Sequence, residues 1–186
     1  MEWTQEDVAE LQKFTTTIDS DDIKVKEQIK QMLLNNRFII HVLNNKELEE
    51  AEAEPDEYYN VNILPYYLLA PTQTNVKNFI CFEVIYDELM RYNSTVKRLN
   101  IIFHILCHHD SITDEDTGIA RHDLLAALIQ HDFNFTNTMG RKLKLVADQS
   151  RPVDNMFVSR TLTFEQITDN NLVKTYNDNP RLSNKV

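Results

Sequence analysis

Residues 97–109 read KRLNIIFHILCHH, and the patterning of that run decides the fold. Its apolar residues recur at every second position rather than at three and four. Leu99, Ile101, Phe103, Ile105 and Cys107 form one wholly apolar row, and Asn100, Ile102, His104, Leu106 and His108 form a mixed one. A period of two belongs to a strand, whose side chains alternate between faces. A strand this long with one apolar row needs a packed layer on that side, so it is expected near the middle of a sheet.

Upstream, FICFEVIY (79–86) has the same period, with Ile80, Phe82, Val84 and Tyr86 as the more apolar row. Glu83 is the carboxylate of that stretch, and pairing with Lys97 or Arg98 on the next strand accounts for it. NILPYYLLAP (62–71) reads as an earlier strand, with Pro65 pointing to an edge or a bulge. The polar link between these two resembles a hairpin. Downstream, DSITDEDTG (110–118) reads as a solvated acidic loop, and a helix is expected over 119–131 with Leu124, Leu125, Leu128 and Ile129 on one side. RKLKLVAD (141–148) and MFVSRTLTFEQI (156–167) read as two closing strands, with Val158, Leu162 and Phe164 sharing a face.

The period changes to 3.6 toward the N-terminus. Val25, Ile29, Met32 and Leu33 share one helical face, Asn35-Asn36 interrupts it, and Phe38, Ile39, Val42 and Leu43 repeat the spacing. KELEEAEAEPDEYYN (46–60) places seven acidic residues in fifteen and reads as a loop. Residues 4–15 suit a short helix with Thr4 as its N-cap and a thin stripe of Val8, Leu11 and Phe14. The Asn-rich segment after residue 168 is weakly periodic. These readings predict an α+β domain over 22–168: helix, three antiparallel strands, helix, two strands. The helices lie on one face of the sheet. Residues 1–21 and 169–186 are expected to be arms.

Composition narrows the function. The chain has 186 residues, and 19 Lys+Arg against 29 Asp+Glu leave a formal net charge of −10. A basic run such as Lys97-Arg98 is too short to grip nucleic acid through phosphates. Gly118 and Gly140 are its only glycines, so the clustered glycines of a phosphate loop or dinucleotide site are absent. Cys81 and Cys107 lie in apolar runs and read as buried thiols. The opening MEWTQEDVAELQK is acidic, and no apolar stretch reaches the roughly 18 residues of a membrane span, so neither a leader nor a membrane segment is expected.

No cofactor and no catalytic residue is expected. His108, His122 and Asp123 are the set that a small metal-dependent hydrolase or nuclease would use, with imidazole and carboxylate ligands on a divalent ion. Adjacent histidines on a strand face opposite ways, so only one of His108 and His109 could aim at the helix. The triplet Asp114, Glu115 and Asp116 does not meet the spacing of a calcium loop. A monomeric adaptor that binds through its acidic loop is a further alternative.

The order of elements resembles the tail terminator (tail completion) proteins of tailed bacteriophages. IKVKEQIKQMLLNNRFIIHVL (23–43) stands for the opening helix, and NILPYYLL and NFICFEVI for the first strands. LNIIFHILCHH stands for the long strand, RHDLLAALIQ for the helix after it, and LKLVAD and FVSRTLTFEQI for the closing strands. The resemblance covers about residues 22–168, and the longer arms depart from the compact family core. It implies a structural, non-enzymatic virion protein at the neck. Such a protein forms a homo-oligomeric ring, expected to be a hexamer, that caps the tail tube protein and meets the head connector. It would be made in the host cytoplasm, touch no membrane, and let genomic DNA through its lumen without specific binding. Candidate contact residues are Ile102 and Leu106 on the mixed strand face, and Trp3, Phe14 and Tyr176 in the arms, whose rings can remove large apolar areas from water.

Overall fold

A computed structural model describes residues 4–14, 21–67, 78–86, 96–137, 139–152 and 156–169. Among these residues five α-helices, α1 (Gln5–Phe14), α2 (Asp21–Asn35), α3 (Arg37–Leu43), α4 (Lys46–Glu50) and α5 (Arg121–Phe133), accompany five strands. The strands are β1 (Ile63–Leu64), β2 (Asn78–Tyr86), β3 (Val96–His108), β4 (Lys144–Pro152) and β5 (Phe157–Asp169). They form one sheet in the order β1-β2-β3-β5-β4. As expected, the 13-residue β3 runs through its centre, antiparallel to β2 on one side and β5 on the other.

The apolar row of β3 makes the core. Leu99, Ile101, Phe103, Ile105 and Cys107 cluster with Ile80 and Phe82 of β2, with Leu162 and Phe164 of β5, and with buried residues of α2, α3 and α5. Phe103 lies at its middle, with ring centroids 4.8 Å from Phe133, 5.8 Å from Phe164 and 6.4 Å from Phe82. These separations are those of favourable tilted and edge-on aromatic pairs. From α2 come Val25, Ile29, Leu33 and Leu34, and from α5 Leu125, Ala126, Ile129 and Phe133. The result is an α+β domain of two layers, with these helices on one face of the sheet.

Local chemistry sets the helix ends. Asn36 separates α2 from α3: its extended backbone breaks the helix, and its side-chain oxygen accepts from the N–H groups of Phe38 (3.0 Å) and Ile39 (3.3 Å). Its amide donates to Asp132 of α5 at 2.6 Å, which pins the corner to the neighbouring helix. Asn36→Ala is expected to cost about 1 kcal/mol in a urea titration, the ordinary value of a lost N-cap; no change would show that the cap is idle. Thr4 caps α1 as read: its hydroxyl accepts from Asp7 N–H, and the Asp7 carboxylate accepts from Thr4 N–H at 2.8 Å. The Thr4 hydroxyl donates to the same carboxylate at 2.7 Å, and this bond, with that from Thr4 N–H, holds the Asp7 carboxyl below its usual range.

Three readings are corrected. NILPYYLLAP supplies only the two residues of β1, which pair parallel to β2, Ile63 with Ile80 and Leu64 with Cys81. Pro65 has no N–H to offer a ladder, so the strand stops there, and parallel pairing excludes a hairpin between β1 and β2. The acidic run is not a plain loop. Asn45 caps α4, and Glu54 and Glu57 close a reciprocal capping box on a 3-10 turn at Pro55–Tyr58. Acidic residues suit helix starts, where N–H groups are unpaired. Helix α5 begins at Arg121 rather than near 119, because Ala120 is held in a bridge with Thr113.

Both cysteines are buried thiols outside any disulfide, on opposite sides of the sheet. Burial pushes the Cys107 thiol up to about 12, far from its reactive thiolate. A disulfide reagent is therefore expected to leave Cys107 unmodified in the native protein and to label it after unfolding; fast native labelling at Cys107 would contradict this burial.

Candidate functional site

The second face of the sheet is built from the other residue row of each strand. Register sets four successive rows across β2, β3 and β5: Phe79–Leu106–Ser159, Cys81–His104–Thr161, Glu83–Ile102–Thr163 and Ile85–Asn100–Glu165. Among the described residues no helix packs on this face. Ile85 and Ile167 are exposed on it, and Ile102 is half-buried at its centre. The face is mixed in character, with isoleucines and threonines interleaved with single charges. Such a surface is too polar for a core and more apolar than most solvated sheet faces.

Its two ends differ. At one end Leu106 is only 3% exposed and packs with Leu64, Phe79, Cys81 and Phe157 of its own chain. It is thus occupied within the subunit, which corrects its reading as a seal against a neighbour. Ile102 keeps its accessible edge. Trp3 and Tyr176, and the side chain of Phe14, lie outside the described residues.

At the middle of the face three polar side chains converge. His104 Nε2 lies 3.4 Å from Glu83 Oε2, and His104 Nδ1 lies 3.3 Å from Thr161 Oγ1. The Tyr67 ring packs tilted against the imidazole, centroids 4.4 Å apart, and burial raises the Tyr67 hydroxyl above its usual range. This corrects the expected partner of Glu83. Arg98 instead approaches Glu165 at 3.6 Å, and Lys97 stands over the Tyr86 ring at 4.0 Å. Tyr86 pairs with Leu99, three register steps from the Glu83–Ile102 pair and on the opposite face of the sheet. Hydroxyl, imidazole and carboxylate in a line have the order of a nucleophile relay. Thr161, however, lies mid-ladder between β3 and β4, where strand pairing engages the backbone N–H groups that an oxyanion hole would need. The line is better explained as a cross-strand polar cluster spanning two adjacent rows.

The hydrolase set is not brought together. His108 belongs to the second face, edge-on to Phe157 at 5.1 Å, and its Nδ1 accepts from Asp110 N–H. His122 and Asp123 are on α5, which packs over the opposite face. Asp123 bonds Arg160 of β5, and Arg160 also makes a two-pronged pair with Asp148. The hydrogen bonds from Arg160 hold the Asp148 carboxyl below its usual range. These charges clamp α5 to β4 and β5.

One cluster was not singled out in the sequence. His41 of α3, Asp114 and Asp116 bring ligand atoms within 4.8 Å of one another. Asp114 is committed elsewhere: one oxygen takes Arg121 Nη1 at 2.8 Å and the other takes the Thr117 hydroxyl at 2.7 Å. The Thr117 hydroxyl bond is the chief reason its carboxyl titrates below the usual range, with Thr117 N–H, Arg121 and His41 adding to it. Arg121 thus supplies the positive charge that a cation would bring. Asp114 is buried, which corrects its reading as part of a solvated loop.

A protein-family model, YomW, matches residues 28–166. A search of the curated proteins found no match.

Proposed function

The chain belongs to the YomW family, whose phage-derived name marks a phage-associated protein, and from that premise we propose that it is a structural virion assembly protein of the neck. In this reading it forms a ring of identical subunits, six by the resemblance to tail terminators, that caps the tail tube and meets the head connector. The observation that carries the reading is the second sheet face, with half-buried Ile102 among threonines and exposed Ile85. A face of this kind is suited to burial against another subunit, where its single charges find partners and its isoleucines leave water.

The acidic surface supports the same reading. The seven acidic residues between Glu47 and Glu57 are all exposed, on α4 and the turn after it. Charge of that sign on a ring lumen repels DNA phosphates and lets the genome pass without adhering. A binding or catalytic role for a metal gains little from the geometry, since His108 and His122 face opposite sides of the sheet.

The test is removal of the gene from the phage. Particles are expected to show separated heads and tails, or tails of uncontrolled length, and complementation with the full chain restores them. Normal virions in normal yield would overturn the reading.

A further inference from the structure

The break at Asn36 leaves an open groove of about 760 Å³ between the α2–α3 corner and α5. Met32, Phe38 and Leu128 give it apolar walls, and Arg37 and His131 stand with them. Phe38 is 54% exposed, although the next residue, Ile39, is fully buried in the core. The Arg37 guanidinium lies 4.8 Å from the centre of the Phe38 ring, so a cation is held over the exposed apolar wall. A large aromatic left open beside a fixed arginine is the composition of a protein-binding groove rather than of an ordinary surface.

The same chain carries a helix of matching chemistry. In α1, Val8, Leu11 and Phe14 recur at helical spacing among Glu6, Asp7 and Glu10. Each α1 residue whose burial is described, Gln5 to Ala9 and Gln12, is exposed, Val8 at 46%. Ten residues are too few for a helix to persist alone in water. Helices of this kind are held by laying an apolar strip in a groove. Acidic α1 also complements the Arg37 guanidinium in charge, while the Asp132 carboxylate at the groove is already met by Asn36 and His131.

We propose that α1 of a second copy docks in this groove, each subunit handing its N-terminal helix to its neighbour. The exposure of Val8 and of the other described α1 side chains in the single chain favours a neighbour over its own body as the acceptor. Helix to groove is a head-to-tail contact, and repetition of such a contact closes a ring when its rotation is a simple fraction of a turn. The inference rests on the ring reading above and names one of its contacts.

The experiment uses the full chain with Val8→Cys and Phe38→Cys, both at exposed positions, under mild oxidation. Disulfide-linked multimers are expected up to a closed species, while a control pairing Val8→Cys with Ile119→Cys, exposed but off the groove, stays unlinked. A bridge within one chain, or no bridge, overturns the proposal. A second variant, Phe38→Glu, is expected to weaken association at least tenfold in sedimentation with an unchanged circular dichroism spectrum; unchanged association overturns it. If the unaltered chain forms a ring while both variant tests fail, helix exchange falls and the ring reading stands. If the unaltered chain is a monomer throughout, both fall.

Discussion

An Ile102→Lys variant is expected to fold normally and to remain a monomer. Ile102 sits between Glu83 of β2 and Thr163 of β5, at the centre of the sheet face on which no described helix packs. In the single subunit a lysine there reaches water and lies beside a carboxylate, so the fold tolerates it. Burial against another subunit would strip water from the ammonium group, which costs several kcal/mol unless a partner meets it. Association is expected to weaken by about a hundredfold or more, which corresponds to roughly 2.8 kcal/mol per interface. Sedimentation velocity reads the assembly, and thermal melting reads the fold. A ring that persists at its normal mass would move assembly away from this face.

Asp114→Ala is expected to produce the largest loss of subunit stability among single changes of surface loops. It removes the partner of the buried Arg121 guanidinium and leaves that charge uncompensated. Deep pairs broken in this way cost ~3–5 kcal/mol. Residues 115–118 beside Asp114 are exposed, so this pair lies just beneath the surface, and about 2–3 kcal/mol is the fitting discount. Asp116→Ala, at an exposed carboxylate, is expected to change stability by no more than about 0.5 kcal/mol. Urea titrations of the two variants compare them directly, and equal losses would refute the assignment.

The same pair fixes the sign of an acid effect. The folded Asp114 carboxyl titrates below its ordinary 3.8, first because of the Thr117 hydroxyl bond. Its contribution is therefore fully present above the unfolded value and is lost as pH falls through the folded one. Stability of the parent should drop below about pH 4, and Asp114→Ala should flatten part of that drop.

The central strands were legible because burial repeats along them. KRLNIIFHILCHH packs one side of the sheet with every second residue, and no local propensity competes with that pattern. The helices of 21–43 were legible for the same reason, with Asn36 as the visible stop. What was not legible depended on partners distant in sequence. The two-residue β1 is parallel because of where the chain returns, which NILPYYLLAP does not encode. Glu83 meets His104 diagonally, from the adjacent row of the same face, whereas Lys97 and Arg98, the nearer guess by charge, fall on more distant positions of β3. Leu106 is covered by Phe157, a residue some fifty positions later. Asp114 looked solvated among acidic neighbours, and only the position of Arg121 at the start of α5 reveals it as half of a buried pair. The exposed Phe38 has no sequence signature, since its spacing matches that of the buried Ile39 and Val42.

The mass of the purified full-length chain in solution tests the central claim most directly. Native mass spectrometry, with sedimentation equilibrium across a range of concentrations, should find a closed assembly of identical subunits, six in the reading proposed here. A chain that stays monomeric at every concentration, and stays so when mixed with tail tubes, would contradict it.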